Sequence, residues 1–245
     1  MIAIGVPAEG SEEPRIGLTP ETVKKLVKAG AKVSVRSGAG LRSHFSDDYY
    51  KEAGAAVAKS DEDAVGDADA VFTVRRPPVE LAKAMKKGAA LIGMLDPFSD
   101  NAGLEALAKT GVSLFSMELM PRITRAQSMD VLSSMATVAG YKAVVLASNH
   151  LPKLFPMLMT AAGTLQPMRT LIMGVGVAGL QACATAKRLG AVVEAYDVRP
   201  AAREQILSVG ATPVELDLDT ESSEDTGGYA KEQSAEFIQR QQELM

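Results

Sequence analysis

Thr170-Leu-Ile-Met-Gly-Val-Gly-Val-Ala-Gly179 is the stretch whose reading decides the fold. Thr170–Met173 is a short apolar run with strand character. Leu180–Leu189 predicts a helix that Gly190 ends, and Ala191–Tyr196 predicts a second strand that closes on Asp197. Between strand and helix, Gly174, Gly176 and Gly179 stand in the spacing of a dinucleotide fingerprint. Gly174 permits the tight turn, Gly176 lets the backbone approach a pyrophosphate, and Gly179 lets the helix pack close to the strand. The helix start offers unpaired N–H groups and a partial positive charge to the phosphates. Asp197 follows Gly174 by 23 residues, where a carboxylate accepts the adenosine ribose hydroxyls. A carboxylate there favours NAD over NADP because it repels a 2′-phosphate, and Arg199 works in the opposite sense because an arginine accepts one.

Outward from this unit the same alternation continues. Ile2–Val6, Lys32–Val35, Ala70–Val74, Ala89–Leu95 and Val112–Met117 read as strands. Helices are predicted from Thr19-Pro20 to Gly30, around Val79–Met85 and around Leu104–Ala108. Strands separated by helices imply parallel crossovers and an α/β fold. One long helix is predicted over Ser128–Ala147, followed by a Pro-bearing stretch from Asn149 to Pro156. The resulting division is an N-terminal α/β domain (1–127), an inter-domain helix and connector (128–165) and a dinucleotide-binding domain (166–245). A complete domain of the last kind has about six strands. Only a short strand near Thr212–Val214, a polar loop over Asp217–Gly228 and a helix over Tyr229–Glu243 follow Asp197. The expectation is therefore two Rossmann-like parallel-sheet domains joined by a long helix, the second incomplete, with its last segment, 217–245, the most mobile.

Composition narrows the function. The chain of 245 residues carries 26 basic and 30 acidic residues, a net charge of −4, which argues against a nucleic-acid surface. Hydrophobic residues at 47% and charged residues at 23% exclude a disordered chain. A single cysteine, Cys183, and two histidines, His44 and His150, give no support to a disulfide framework or a metal centre. Met1 leads straight into an apolar run without a basic segment, and no uninterrupted apolar window reaches the ~18 residues of a membrane span. The chain itself is expected to be soluble and cytosolic.

A second polar motif lies in Met120-Pro-Arg-Ile-Thr-Arg-Ala-Gln-Ser-Met-Asp-Val-Leu-Ser-Ser134. Spacings of three place Gln127, Asp130 and Ser133 on one face of a helix start. Such an amide, carboxylate and hydroxyl can hold a nicotinamide carboxamide and ribose, or can form an ordinary solvated first turn with Asp130 serving the helix dipole.

These residues carry a resemblance. Pro7-Ala-Glu9, Glu13-Pro-Arg-Ile-Gly-Leu-Thr-Pro-Glu21, Gly38-Ala-Gly-Leu-Arg-Ser-His-Phe45, Met120–Ser134, Gly174–Gly179, Tyr196-Asp-Val-Arg199 and Gly227-Gly-Tyr-Ala-Lys231 resemble the NAD(H)-binding domain I of the α subunit of proton-translocating NAD(P) transhydrogenase, a relative of alanine dehydrogenase. The resemblance covers essentially the whole chain. It implies that Arg122, Gln127, Asp130 and Ser133 line the nicotinamide site and that Val177, Asp197, Val198 and Arg199 hold the adenosine half. It implies that Gly228 and Tyr229 belong to a mobile loop that closes over NAD(H). NADP(H) is then held on a partner domain, proton translocation occurs in a separate membrane domain, and the chain is a homodimer attached to the inner membrane through its partners. The family's domain I also continues past the length seen here.

Alanine dehydrogenase is the alternative. The resemblance places its proton-exchanging histidine in the loop after the Ala89–Leu95 strand, where this sequence has Asp96-Pro97, and its catalytic lysine in the region where this sequence has Arg75. An arginine stays protonated and is a poor proton shuttle. Arg15 matches a substrate-binding arginine, so a binding remnant is an open alternative, as is a non-catalytic nucleotide-binding fragment. Hydride transfer between nicotinamide rings needs positioning rather than acid–base chemistry, and suits a site without histidine.

Overall fold

A computed structural model of the chain describes residues 1–121, 123–216, 218, 231 and 233–244. The chain forms two compact units, Met1–Asp130 and Val131–Met245.

The first unit contains β1 (Ala3–Val6), α1 (Pro20–Lys28), β2 (Lys32–Arg36), α2 (Asp47–Glu52), β3 (Ala56–Ala58), α3 (Asp61–Val65), β4 (Ala70–Arg75), α4 (Val79–Ala84), β5 (Ala90–Met94), α5 (Asn101–Ala108) and β6 (Ser113–Ser116). Its six strands lie in the order β3-β2-β1-β4-β5-β6, with every pair parallel. That order reverses direction between β1 and β4, which is where sheets of this type open a crevice at their carboxyl ends. Adjacent residues of β4 serve opposite faces. Val71 belongs to a core with Leu91, Leu95 and Leu107, and Phe72 packs on a second core with Val6, Val23 and Tyr50. The expected strands and the α1, α4 and α5 helices are present. The α2, β3 and α3 elements were not expected, because each is only 3 to 6 residues long and shows no full hydrophobic period.

The second unit starts with α6 (Val131–His150), continues through a β7–β8 hairpin (Leu158–Thr160 and Gly163–Leu165), and then runs β9 (Arg169–Met173), α7 (Val177–Arg188), β10 (Val192–Tyr196), α8 (Ala202–Ser208), β11 (Thr212–Pro213) and α9 (Ala235–Leu244). Among the described residues its parallel sheet is β11-β10-β9, one half of a doubly wound sheet. The core joins Val144, Phe155, Val175, Cys183, Ala186, Val193 and Ile206. Cys183 is fully buried there, as a packed small residue.

The second unit differs from the expectation at four points. The long helix begins at Val131, not Ser128, and runs on to His150 before Pro152 stops it. The Pro-bearing stretch leads into an exposed hairpin with a two-residue turn at Ala161-Ala162. The α8 helix follows Pro200 and was missed for its shortness. Finally, α6 is long and apolar enough to cross a membrane, although no uninterrupted apolar run is that long, because Ser133, Ser134, Thr137 and Lys142 are spread among apolar residues. Its buried residues, Gly140 and Val144, face other parts of the second unit.

Candidate functional site

The fingerprint of the second unit is built as its glycines require. Gly174 has φ +84°, a backbone region that side chains with a Cβ rarely adopt. A Cβ built on Gly174 or Gly176 would meet no atom within 4 Å, so the space over the loop is open. A Cβ on Gly179 would lie 1.8 Å from the Gly174 carbonyl oxygen, so helix and loop can close only on glycine. Behind them α6 supports α7 at equally close range, since a Cβ on Gly140 would be 2.1 Å from the Ala178 carbonyl oxygen.

The start of α7 is chemically bare. Gly176 is the N-cap residue, no side chain caps it, and no acidic residue stands in the first turn, while Lys187 and Arg188 serve the last turn. The free N–H groups and the positive end of the helix dipole are thus left for an anion. The half-exposed Val177 begins the helix. These features fit a pyrophosphate group.

Asp197 directly follows β10 beside this loop, with its side chain only 6% exposed. Its Oδ2 accepts the Val175 N–H at 2.7 Å, and its Oδ1 accepts the Arg199 backbone N–H at 2.8 Å. The Arg199 guanidinium donates Nε to Oδ1 at 2.9 Å and Nη2 to Oδ2 at 3.0 Å. Burial alone would push the carboxyl up. The Arg199 guanidinium and the two backbone N–H groups outweigh it and hold the pKa below the ordinary aspartate value. Val198 and Arg199 line an adjoining cavity of about 280 Å³ with Asp197, Arg203, Pro213 and Leu216. Val175 went unnoticed in the sequence because it is the variable residue between two glycines; its role comes from its peptide group, not its side chain.

The polar segment is arranged differently from the expectation. Gln127 is exposed on a 3₁₀ helix, Thr124–Met129, in the first unit. Asp130 caps that turn with ψ 88°, outside the helical region, and Ser133 lies in the first turn of α6 in the second unit. The three do not share one continuous helical face, because the backbone leaves helical geometry at Asp130. Arg122, Gly228 and Tyr229, with nearly all of the Asp217–Gly228 segment, lie outside the described residues.

The first unit holds a second charged cluster at the carboxyl end of β4. Glu13, 7% exposed, accepts Arg15 Nε and Nη2, both at 2.7 Å, and Arg75 Nε at 3.1 Å. Chiefly through the Arg15 guanidinium, its carboxyl is held down at about 2. Glu9 accepts the Val74 and Arg75 backbone N–H groups, at 2.6 and 3.1 Å, and burial nevertheless raises its pKa. Thr73, Arg75, Arg76 and the two glutamates line a cavity of about 500 Å³. Sequence reading singled out Arg15 and Arg75 separately and assigned Glu13 no part in joining them. Asp96, two residues past β5, adopts φ +56°, and Glu118 accepts its backbone N–H at 2.9 Å.

Fold and fingerprint together define a dinucleotide-binding α/β protein of the Rossmann type. Models of the alanine dehydrogenase/PNT N-terminal and C-terminal domains match residues 5–139 and 143–244, and the chain belongs to this family. An NAD(P) transhydrogenase subunit alpha protein of Rhodospirillum rubrum is 46% identical, over 99% of this chain and 65% of that protein. The crystal structure of transhydrogenase from Sinorhizobium meliloti superposes with TM-score 0.83 at 48% identity, covering 87% of this chain and 64% of that one. An L-alanine dehydrogenase structure gives TM-score 0.75 at 27% identity, covering 86% of this chain and 60% of that one. The chain thus spans about two thirds of the length of the transhydrogenase relatives it matches.

Proposed function

We propose that this chain is the NAD(H)-binding component of a proton-translocating NAD(P) transhydrogenase. The observation that carries the reading is the open glycine loop and uncapped α7 start beside Asp197. NADH bound there supplies a hydride for NADP⁺ held on a partner domain, and a membrane domain couples the transfer to proton translocation. The loop glycines and the first N–H groups of α7 bind the pyrophosphate. Val177, Asp197, Val198 and Arg199 hold the adenosine half, with NAD(H) preferred over NADP(H). Arg122, Gln127, Asp130 and Ser133 orient the nicotinamide ring, and Gly228 and Tyr229 belong to the loop that closes over it. Residues 1–127, 128–165 and 166–245 are, in this reading, N-terminal domain, connector and NAD-binding domain. The chain works as a homodimer at the cytoplasmic face of the inner membrane. Exposed apolar side chains on α6 and the hairpin, among them Leu132, Val138, Tyr141 and Met159, support protein partners on the second unit.

NADH titration by fluorescence, followed by hydride transfer with an NADP(H)-binding partner domain, tests the reading. Gln127→Ala and Asp130→Ala should lower the transfer rate more than they weaken NADH binding, because the adenosine half provides much of the affinity. Equal losses in both would make these residues ground-state binders, and no change in either would make the segment an ordinary helix start. Alanine-dependent NADH formation would instead establish an amino-acid dehydrogenase. By the resemblance, that relative has its histidine in the loop where this chain has Pro97 beside the exposed Asp96, which weighs against this outcome. Absence of any nucleotide binding would leave a non-catalytic fragment.

A further inference from the structure

A carboxylate offers about four acceptor positions, and the structure fills four on Asp197. Two are taken by backbone N–H groups, those of Val175 and Arg199, which move only if the loops move. The other two are taken by the Arg199 guanidinium, the one occupant of the four that a side-chain rotation can remove. The guanidinium is also anchored on the glycine loop, because Nη2 donates to the Val175 carbonyl oxygen at 3.1 Å. The Val175 peptide is therefore gripped on both sides, its N–H by Asp197 and its C=O by Arg199. Both side chains are withdrawn from water, 6% and 16% exposed, so their charges are weakly screened.

We propose that Arg199 is the built-in counter-ion of Asp197 and sets how strongly the site discriminates between a ribose 2′-hydroxyl and a 2′-phosphate. This rests on the nucleotide-binding reading above. Two neutral ribose hydroxyls can replace the guanidinium at the carboxylate by donating the same two bonds. A 2′-phosphate donates none and adds negative charge beside the carboxylate. While Arg199 stays paired, the phosphate meets a neutral pair instead of a bare anion, and its rejection is moderated. Arg199 thus acts through Asp197, as a positioning residue, and its guanidinium is engaged there and not held open as a phosphate receptor.

The experiment measures the ratio of Kd for NADPH to Kd for NADH by fluorescence titration of the whole chain and its variants. A ratio is insensitive to the fraction of chain that is folded. Arg199→Gln removes the charge and should raise the ratio at least about fivefold. Arg199→Lys keeps the charge without the fork and should change it less than about twofold. An unchanged ratio in Arg199→Gln would overturn the proposal. A lower ratio would also overturn it, because Arg199 would then oppose the phosphate instead of moderating its rejection. Asp197→Asn is compared with Asp197→Asn/Arg199→Gln, where no buried anion is stranded, to separate a counter-ion of Asp197 from a direct phosphate receptor and to serve as the test if Arg199→Gln does not fold. The two ratios should agree within about twofold, and a large rise on removing the arginine would overturn the proposal by making Arg199 a direct phosphate receptor. Failure of the unaltered chain to bind either nucleotide would overturn the nucleotide reading itself, and this inference with it.

Discussion

The two units each lead a parallel strand into a helix, and the two helix starts are opposites. In the first unit, α1 is closed on itself. Thr19 accepts the Thr22 N–H, Pro20 occupies the first turn, and Glu21 already places a negative charge at the positive end of the dipole. In the second unit, α7 begins on glycine with no capping side chain and no acid. The carboxylates differ as well. Glu13 is spent on two arginines from the loop after β1 and from β4, whereas Asp197 lies against the glycine loop itself. Two helix starts in the same strand-to-helix setting thus differ in whether the N-terminal N–H groups are satisfied from within. Of these two helix starts, α7 is the one without a capping side chain or an acid.

The sharpest way to break this contrast is to make α7 begin like α1. Gly176→Asp has room for its side chain and supplies both a cap and a charge. It should leave thermal stability unchanged or slightly improved while weakening NADH at least about 100-fold. Binding within tenfold of the unaltered chain would show that the helix start is not the anion site.

A second prediction concerns the first unit's carboxylate. Glu13 is depressed to about 2 from an ordinary value of 4.5. Its contribution to stability is full above pH 4.5 and is lost as pH falls toward 2. Because Arg75 is largely exposed, the loss should be about 2 kcal/mol. Glu13→Gln should cost a similar amount at neutral pH and flatten the acid limb of the melting-temperature profile. An acid limb as steep as before would assign the dependence elsewhere. NADH affinity should not change, which separates the two carboxylates.

Asp197→Asn addresses the other carboxylate and should reduce the NADH-over-NADPH preference about tenfold, read by competition binding. An unaltered preference would remove Asp197 from nucleotide selection. Thr19→Ala should have the smallest effect, about 1 kcal/mol lost from the first unit by thermal denaturation, with NADH binding unaffected. Any loss of NADH affinity in that variant would mean that the first helix start is not as closed as its hydrogen bonds indicate.

The helix starts that carry this contrast are legible in the sequence alone. Thr19-Pro20-Glu21 and Gly174–Gly179 are contiguous, and the dihedral and hydrogen-bond rules that govern them act within a few residues. The short α2, α3 and α8 helices were not legible, since their five to seven residues carry no repeating apolar stripe. The face proposed for Gln127, Asp130 and Ser133 failed for a related reason. Equal spacing implies one face only while the backbone stays helical, and one dihedral at Asp130 ends that.

What the sequence by itself determined is the alternation of strand and helix, the dinucleotide fingerprint and its acidic partner, because period, glycine placement and capping are local. What only the tertiary structure decided is which charges meet. Glu13 finds Arg75 across 62 residues because β1 and β4 are neighbours in the sheet. The Val175 peptide is gripped by Asp197 and Arg199 because β9 and β10 run parallel in register from Arg169–Val192 to Met173–Tyr196. Strand order and register bring such groups within hydrogen-bonding distance, and neither is set by any one segment of the chain.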